Sequence, residues 1–311
     1  MTTATAADGA MKTTALSFQE LEGWASDDLS GALSVFRRTA PLVPGWGRIA
    51  AMAAGAENAR AFLEGVFRPV LIEDGGEALF TGYYEPELRG TRVRTGDHVH
   101  PVYAMPDDPR AFSRAEIVAG ALAGRGLEIA WLADAAEAYF LQVQGSGRIV
   151  FPDGVVRVNF ESGNGRGYRS IGKELVARGV LTEESVTAEG IKDWIRANPA
   201  EGAALMDLNP SWVFFRVVEV PAETGPIGCM GKPVTALRSV AVDPAVVPLG
   251  APVWIEAGGF RRLFIAQDKG GAIKGAQRAD IFFGTGAEAG RLAGAFHHGG
   301  RMVVLLPREG A

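Results

Sequence analysis

The chain has 311 residues, of which 47% are hydrophobic and 22% charged, with a formal net charge of −5. That apolar content excludes a disordered chain, and the lack of a long basic run argues against a nucleic-acid partner. A length of 311 residues gives an expectation of about two domains at ~150 residues each.

Residues 15–67 read as helical. Ser17 and Glu20 have capping-box spacing ahead of an apolar pattern of Leu21, Trp24, Leu29, Leu33 and Phe36. Gly31 and Pro41 are read as interruptions. A second periodic stretch, about 57–67, puts Ala59, Phe62, Leu63 and Val66 on one face. The texture changes near residue 69. PVLIEDG, ALFTGYYEP and VHPVYAMP are short β-type runs bounded by Gly, Pro and Asp. Ser113 and Glu116 predict a helix start. AYFLQVQGSGRIVF and VVRVNF then read as β-type, and the Asp153-Gly154 dipeptide between the last two runs predicts a hairpin. Helices are predicted at about 170–178 and 187–197, with Pro199 and Pro210 punctuating the way out. From Trp212 the chain is β-type (WVFFRVVEV, VTALRSVAV, PVWIEA, RRLFIAQD, DIFFG, MVVLLP), broken by one helix near 287–296. A β–mixed–β order fits a middle domain inserted into a β-barrel.

The 41 glycines lack a triplet period, which excludes collagen and suggests many tight turns. The single cysteine, Cys229, excludes an intrachain disulfide and a multi-cysteine metal site. No window is long and apolar enough for a membrane span. The first residues lack a charged stretch followed by an apolar one, so no export signal is read in them.

Several partial motifs are weak. Gly167 to Glu174 approaches a P-loop, but Glu174 stands where a hydroxyl would hold magnesium and would repel phosphate. His98 and His100 have strand spacing for one face, yet no third zinc ligand is near. Gln144-Gly-Ser146-Gly only loosely resembles a nucleophile elbow. A glycine-flanked loop offering Gln142, Gln144 and Ser146 to a polar ligand stands beside a plain tight connection. Tyr83, Tyr84, Tyr139, Trp212, Phe282 and Phe283 suit sugar faces or the core.

The acids are more informative. Asp243, Asp268 and Asp280 all sit at edges of apolar β-type runs. Desolvation there would raise a carboxyl pKa, as a general acid near neutral pH needs. The alternative for each is an Asx-turn at a strand end.

Seven motifs occur in one order. They are Phe80-Thr-Gly-Tyr-Tyr-Glu-Pro86, Gln142-Val-Gln-Gly-Ser-Gly147, Tyr168-Arg-Ser-Ile-Gly-Lys173, Asn209-Pro-Ser-Trp-Val-Phe-Phe215, Asp243, Asp268-Lys-Gly-Gly-Ala-Ile-Lys-Gly275 and Arg278-Ala-Asp-Ile-Phe-Phe-Gly284. Over about residues 70–307 the sequence resembles the membrane-bound lytic murein transglycosylase A family. Its C-terminal part resembles the module named for three aspartates, here Asp243, Asp268 and Asp280.

The resemblance implies a mainly β fold: a double-psi β-barrel, a second β-rich inserted domain and a helical N-terminal segment. The expected domains are 1–69 (helical), 70–86 plus 212–311 (barrel) and 87–211 (inserted, forming the other wall of a glycan groove). It further implies non-hydrolytic cleavage of the MurNAc–GlcNAc β-1,4 bond of peptidoglycan, leaving 1,6-anhydro-MurNAc ends. Asp280 matches the family's acid/base, and Asp268 is expected to orient or polarise it. Thr81, Tyr84, Gln142, Gln144, Ser146, Asp243 and Lys274 are the expected substrate contacts. No metal or cofactor is implied. The expected partners are glycan strands, with cell-wall synthesis or division proteins beside them, in the periplasm or at the outer membrane. A hydrolase on the same barrel and a non-catalytic glycan-binding module remain the alternatives. The family's anchoring N-terminal cysteine has no counterpart in this sequence.

Overall fold

A computed structural model describes residues 11–182 and 185–310. Residues 1–10 of the expected helical segment therefore lie outside the described residues. In chain order, β1 (Lys12–Ala15) precedes α1 (Leu29–Thr39), α2 (Gly47–Gly55), α3 (Ala59–Val66), β2 (Phe67–Glu73) and β3 (Leu79–Glu85). The middle carries β4 (Glu87–Thr91), β5 (His100–Tyr103), α4 (Arg114–Val118), β6 (Glu128–Leu132), α5 (Ala135–Gln144), β7 (Ser146–Phe151) and β8 (Gly154–Gly163). It continues with α6 (Ile171–Ala177), α7 (Ala188–Ala197), α8 (Pro199–Asp207) and β9 (Val213–Val218). The last part holds β10 (Ser239–Val242), β11 (Pro252–Ala257), β12 (Phe260–Asp268), β13 (Arg278–Thr285), α9 (Ala287–Ala295), β14 (His297–His298) and β15 (Gly300–Pro307). The chain is mainly β with a helical N-terminal segment, as expected.

Two compact units emerge. The first comprises residues to Tyr83, Ile227–Gly284 and Phe296 onward; the second comprises Tyr84–Pro226 and Thr285–Ala295. In the first unit the strands order β1-β2-β15-β11-β12-β10-β13-β3-β14. Its central strands are apolar at nearly every position because both faces are covered. Alternation then splits them. Trp254, Leu263, Ile265, Val303 and Leu305 pack under α1 and α3 against Phe36, Phe62 and Leu63. Their neighbours Val253, Ile255, Phe264, Ala266, Met302 and Val304 form a second core with Val240, Val242 and Ile281. Trp24 meets Trp254 edge-on at 5.2 Å. Each such buried side chain contributes roughly 1.5–3 kcal/mol.

The N-terminal segment is more broken than its periodicity suggests. Residues 12–15 form a strand, because Thr13 and Thr14 pair with Ile72 and Leu71 of β2. The Ser17–Glu20 capping box is present but opens only one 3₁₀ turn, Phe18–Glu20. Gly31 lies inside α1 rather than interrupting it. A Cβ there would come within 3.4 Å of Arg238 Nε, so the glycine allows a close approach.

The second unit's sheet orders β5-β6-β4-β7-β8-β9. It nearly closes into a six-strand barrel, with Ala104, just past β5, bridging Phe215 of β9. The β7–β8 hairpin is present, with Pro152 and Asp153 at its tip, Phe151 paired with Gly154, and Gly154 at φ +146°. One sequence expectation fails here. The AYFLQVQ run is the helix α5, not a strand. The Asp134 side chain caps it by accepting the N–H groups of Ala136 and Glu137, and Gly145 ends it in the left-handed region. Those end signals outweigh a short apolar run that fits either period. The sequence reading also passed over α8, where Pro199 starts a helix instead of closing one. Tyr139, Trp212 and Phe282 are core residues, at most 5% exposed.

Candidate active site

Three strands of the first unit bring the acids together. β10 runs between β12 and β13, parallel to the first and antiparallel to the second. Ala241 of β10 pairs with Asp268 on one side and Asp280 on the other. With strands about 4.8 Å apart, the two aspartate Cα atoms lie on the order of 10 Å apart across the small side chain of Ala241. Both acids are partly buried.

Their surroundings differ. Asp280 Oδ1 accepts one hydrogen bond, from Thr81 Oγ1 of β3 at 2.7 Å. Among the described residues no donor to Oδ2 is found. Burial pushes the Asp280 pKa up, and the nearby Asp268 charge adds to this; the Thr81 bond and the Arg278 guanidinium pull the other way. Asp268 accepts three hydrogen bonds. The backbone N–H groups of Cys229 and Lys269 each donate to Oδ1 at 3.0 Å. The Tyr83 hydroxyl donates to Oδ2 at 3.1 Å. Burial nevertheless leaves the Asp268 pKa above the ordinary value.

The loop that delivers the Cys229 N–H needs a glycine. A Cβ on Gly228 would stand 2.8 Å from the Gln267 carbonyl oxygen. Tyr83 reaches Asp268 from β3 while its ring packs on Phe282 of β13, with centroids 5.2 Å apart. Tyr83 is two residues from Thr81, and Phe282 is two from Asp280, so each pair shares one face of its strand.

Asp243 takes the Asx-turn alternative. Its carboxylate accepts the N–H groups of Ala245 at 3.2 Å and Gly275 at 3.1 Å. Lys274 Nζ approaches it at 3.5 Å from an exposed position. Burial would raise the Asp243 pKa, but these donors and the ammonium hold it below the ordinary value. Asp243 thus ties down the segment between Asp268 and Asp280, where Gly275 needs φ +105°.

The remaining candidates lie in the second unit. The Tyr84 N–H donates to Gln144 Oε1 at 3.2 Å. Gln142 Oε1 accepts from Arg114 Nη2 at 2.7 Å. Both glutamines stand on the last turn of α5, not on a strand or loop. Ser146 is buried at the start of β7. Arg114 is itself buried between the rings of Tyr139 and Trp212, 4.7 and 4.9 Å from their centroids. It donates to the carbonyls of Asn209 and Ser211 rather than to a carboxylate. Desolvation lowers its pKa to about 10. Sequence reasoning missed Arg114, because its partners are far away along the chain.

Comparison with known proteins identifies the family. Residues 79–216 match the MltA specific insert domain, and residues 238–306 match the 3D domain. The chain is 39% identical over 253 residues to membrane-bound lytic murein transglycosylase A of Escherichia coli, spanning 76% of this chain and 67% of that protein. The Vibrio cholerae protein of the same name is 35% identical over 246 residues, spanning 74% of this chain and 66% of that one. Among solved structures, a membrane-bound lytic murein transglycosylase from Agrobacterium tumefaciens superposes with a TM-score of 0.83 at 30% identity, covering 96% of this chain and 98% of that one. Escherichia coli MltA with bound chitohexaose superposes with a TM-score of 0.75 at 32% identity, covering 90% and 89%. Matching two successive domain models and these relatives across most of its length, the chain belongs to the MltA family of lytic murein transglycosylases.

Proposed function

We propose that this chain is a peptidoglycan lytic transglycosylase with Asp280 as its one acid and base. The observation that carries this is the environment of Asp280. It is a partly accessible carboxyl with a raised pKa, a single hydrogen-bond donor on one oxygen and none found on the other. A protonated Asp280 gives its proton to the glycosidic oxygen as the bond from that oxygen to C1 of MurNAc breaks. The resulting carboxylate takes the proton of the C6 hydroxyl as O6 bonds to C1. No water is consumed, and the product ends in 1,6-anhydro-MurNAc. An ordinary glycosidase needs a second carboxylate to activate water or attack the sugar. Here the substrate supplies its own nucleophile. Asp268 is the neighbouring charge that favours the protonated form of Asp280.

Thr81, Tyr84, Gln142, Gln144, Ser146, Asp243 and Lys274 are proposed to serve glycan binding, Asp243 by holding the 275 segment. Residues 70–86 with 212–311 are proposed as the catalytic part, although β9 pairs into the second unit's sheet, with 87–211 as the inserted part and the described part of 1–69 as helical cover. The proposed place of action is the periplasm or outer membrane, where the substrate lies, with cell-wall synthesis or division proteins as proposed partners. No helix among the described residues is long and apolar enough to cross a membrane. The test is digestion in water labelled with a heavy oxygen isotope. Products without label support the proposal; label at the new ends overturns it in favour of a hydrolase.

The same geometry sets the pH dependence. Because the acid starts protonated, activity should fall as pH rises through the raised pKa of Asp280. The Thr81 bond favours the carboxylate, so Thr81→Val should move that fall to higher pH. The shift is expected at about one pH unit, the size of a hydrogen bond to a charged group. A pH–rate profile of both proteins checks it, and a fall at unchanged pH would remove Thr81 from the account.

A further inference from the structure

We propose that Tyr83 is a positioning residue that keeps Asp268 as the ionised member of the acid pair and so leaves the proton on Asp280. The inference rests on the lytic transglycosylase reading for its meaning, but its geometry stands alone. The Tyr83 phenol has one proton to give, and it gives it to Asp268 Oδ2 at 3.1 Å. With two backbone N–H groups on Oδ1, Asp268 has three donors. Asp280 has one, from Thr81. Two neighbouring, partly buried carboxyls that differ by two donors do not share a proton evenly. Each donated bond favours the charged form of the group that accepts it. The better-solvated carboxyl ionises first, and its charge then holds the proton on the other.

Tyr83 is also fixed. Its ring is seated on Phe282, and its hydroxyl pKa is pushed up by burial and by the charges of Asp268 and Asp280. It therefore stays a donor through the working pH range. The other charged or titratable groups near the pair act differently. Arg278 beside Asp280, its own pKa lowered by burial, favours the charged form of Asp280 and so opposes the bias. Lys269 acts on Asp268 through its backbone N–H. The Cys229 thiol, raised to about 12, stays neutral and through a weaker hydrogen bond also favours the charged form of Asp268. β10 contributes only Ala241 between the acids.

The proposal makes a one-sided prediction. Tyr83→Phe keeps the ring and removes one donor from Asp268. The anion of Asp268 is destabilised in both the active and the fully deprotonated enzyme. The first proton loss of the pair, that of Asp268, should therefore move up by about one pH unit, and the second, that of Asp280, should stay in place. A merely structural role would lower the rate at every pH and move neither titration.

The deciding experiment does not need activity. Carbon-13-labelled aspartate would be titrated by NMR in wild type and Tyr83→Phe, with Asp268→Asn to assign the signals. A rise of about one pH unit in the Asp268 titration, with thermal unfolding unchanged, supports the proposal. An unchanged Asp268 titration overturns it, whatever the products are. Should the wild type release no anhydro ends, the functional reading fails while this titration still reports on Tyr83.

Discussion

Asp280→Asn is expected to abolish turnover. Asparagine can still accept the Thr81 hydrogen bond, so the fold and the site's shape should survive. What is lost is the only proton that both steps use. General acid–base catalysis contributes roughly 10²–10⁴-fold, and here one group supplies both halves. A fall in kcat of roughly 10³-fold or more is therefore expected, with glycan binding retained. Asp268→Asn should cost less and should still give anhydro products, because Asp268 acts on the pKa of Asp280 and not on the sugar. Activity assays with both variants, alongside binding to an intact glycan strand, check this. If Asp280→Asn keeps most of its activity, the acid is another residue.

The largest stability effect is expected at Glu85, in the second unit. This carboxylate is fully buried. It accepts from Arg148 Nε at 3.0 Å, Arg157 Nη2 at 3.1 Å and Thr285 Oγ1 at 2.8 Å. Arg157 Nε stands 2.8 Å from its other oxygen. Glu85→Gln would leave two guanidinium groups in the interior without their anion. Breaking such a buried pair costs about 3–5 kcal/mol, and unfolding should begin on the order of 10 °C lower. The exposed pair Arg92–Asp153, 3.1 Å apart, is the control. Asp153→Asn should cost less than about 1 kcal/mol. Thermal unfolding of the two variants side by side separates the cases; equal losses would mean that Glu85 holds nothing the surface pair does not.

How much of this was readable in sequence depended on distance along the chain. Asp268 and Asp280 stood out because each borders an apolar run and lies in a motif. That both face Ala241 was not readable, since it needs the parallel pairing of β10 with β12. In the sequence Tyr83 stands out only as an aromatic. Its role depends on β3 reaching Asp268, 185 residues away. Glu85 sat inside a recognised motif, yet its two arginines lie 63 and 72 residues on. The misreading of α5 had a local cause. An apolar run of that length fits a strand or a helix, and the Asp134 cap and the Gly145 terminator decide it. Among the aromatics, Tyr139 and Trp212 turned out to stack on Arg114, which a composition-level reading cannot see.

In the proposed reaction one acid cleaves glycan strands without water. The most direct test is mass spectrometry of purified peptidoglycan digested by wild type and by Asp280→Asn. Muropeptides about 18 Da lighter than hydrolytic products, the mass of the water not added, should appear with wild type and be absent with the variant. Products of full hydrolytic mass, carrying reducing ends, would contradict the account and require a second carboxylate that activates water.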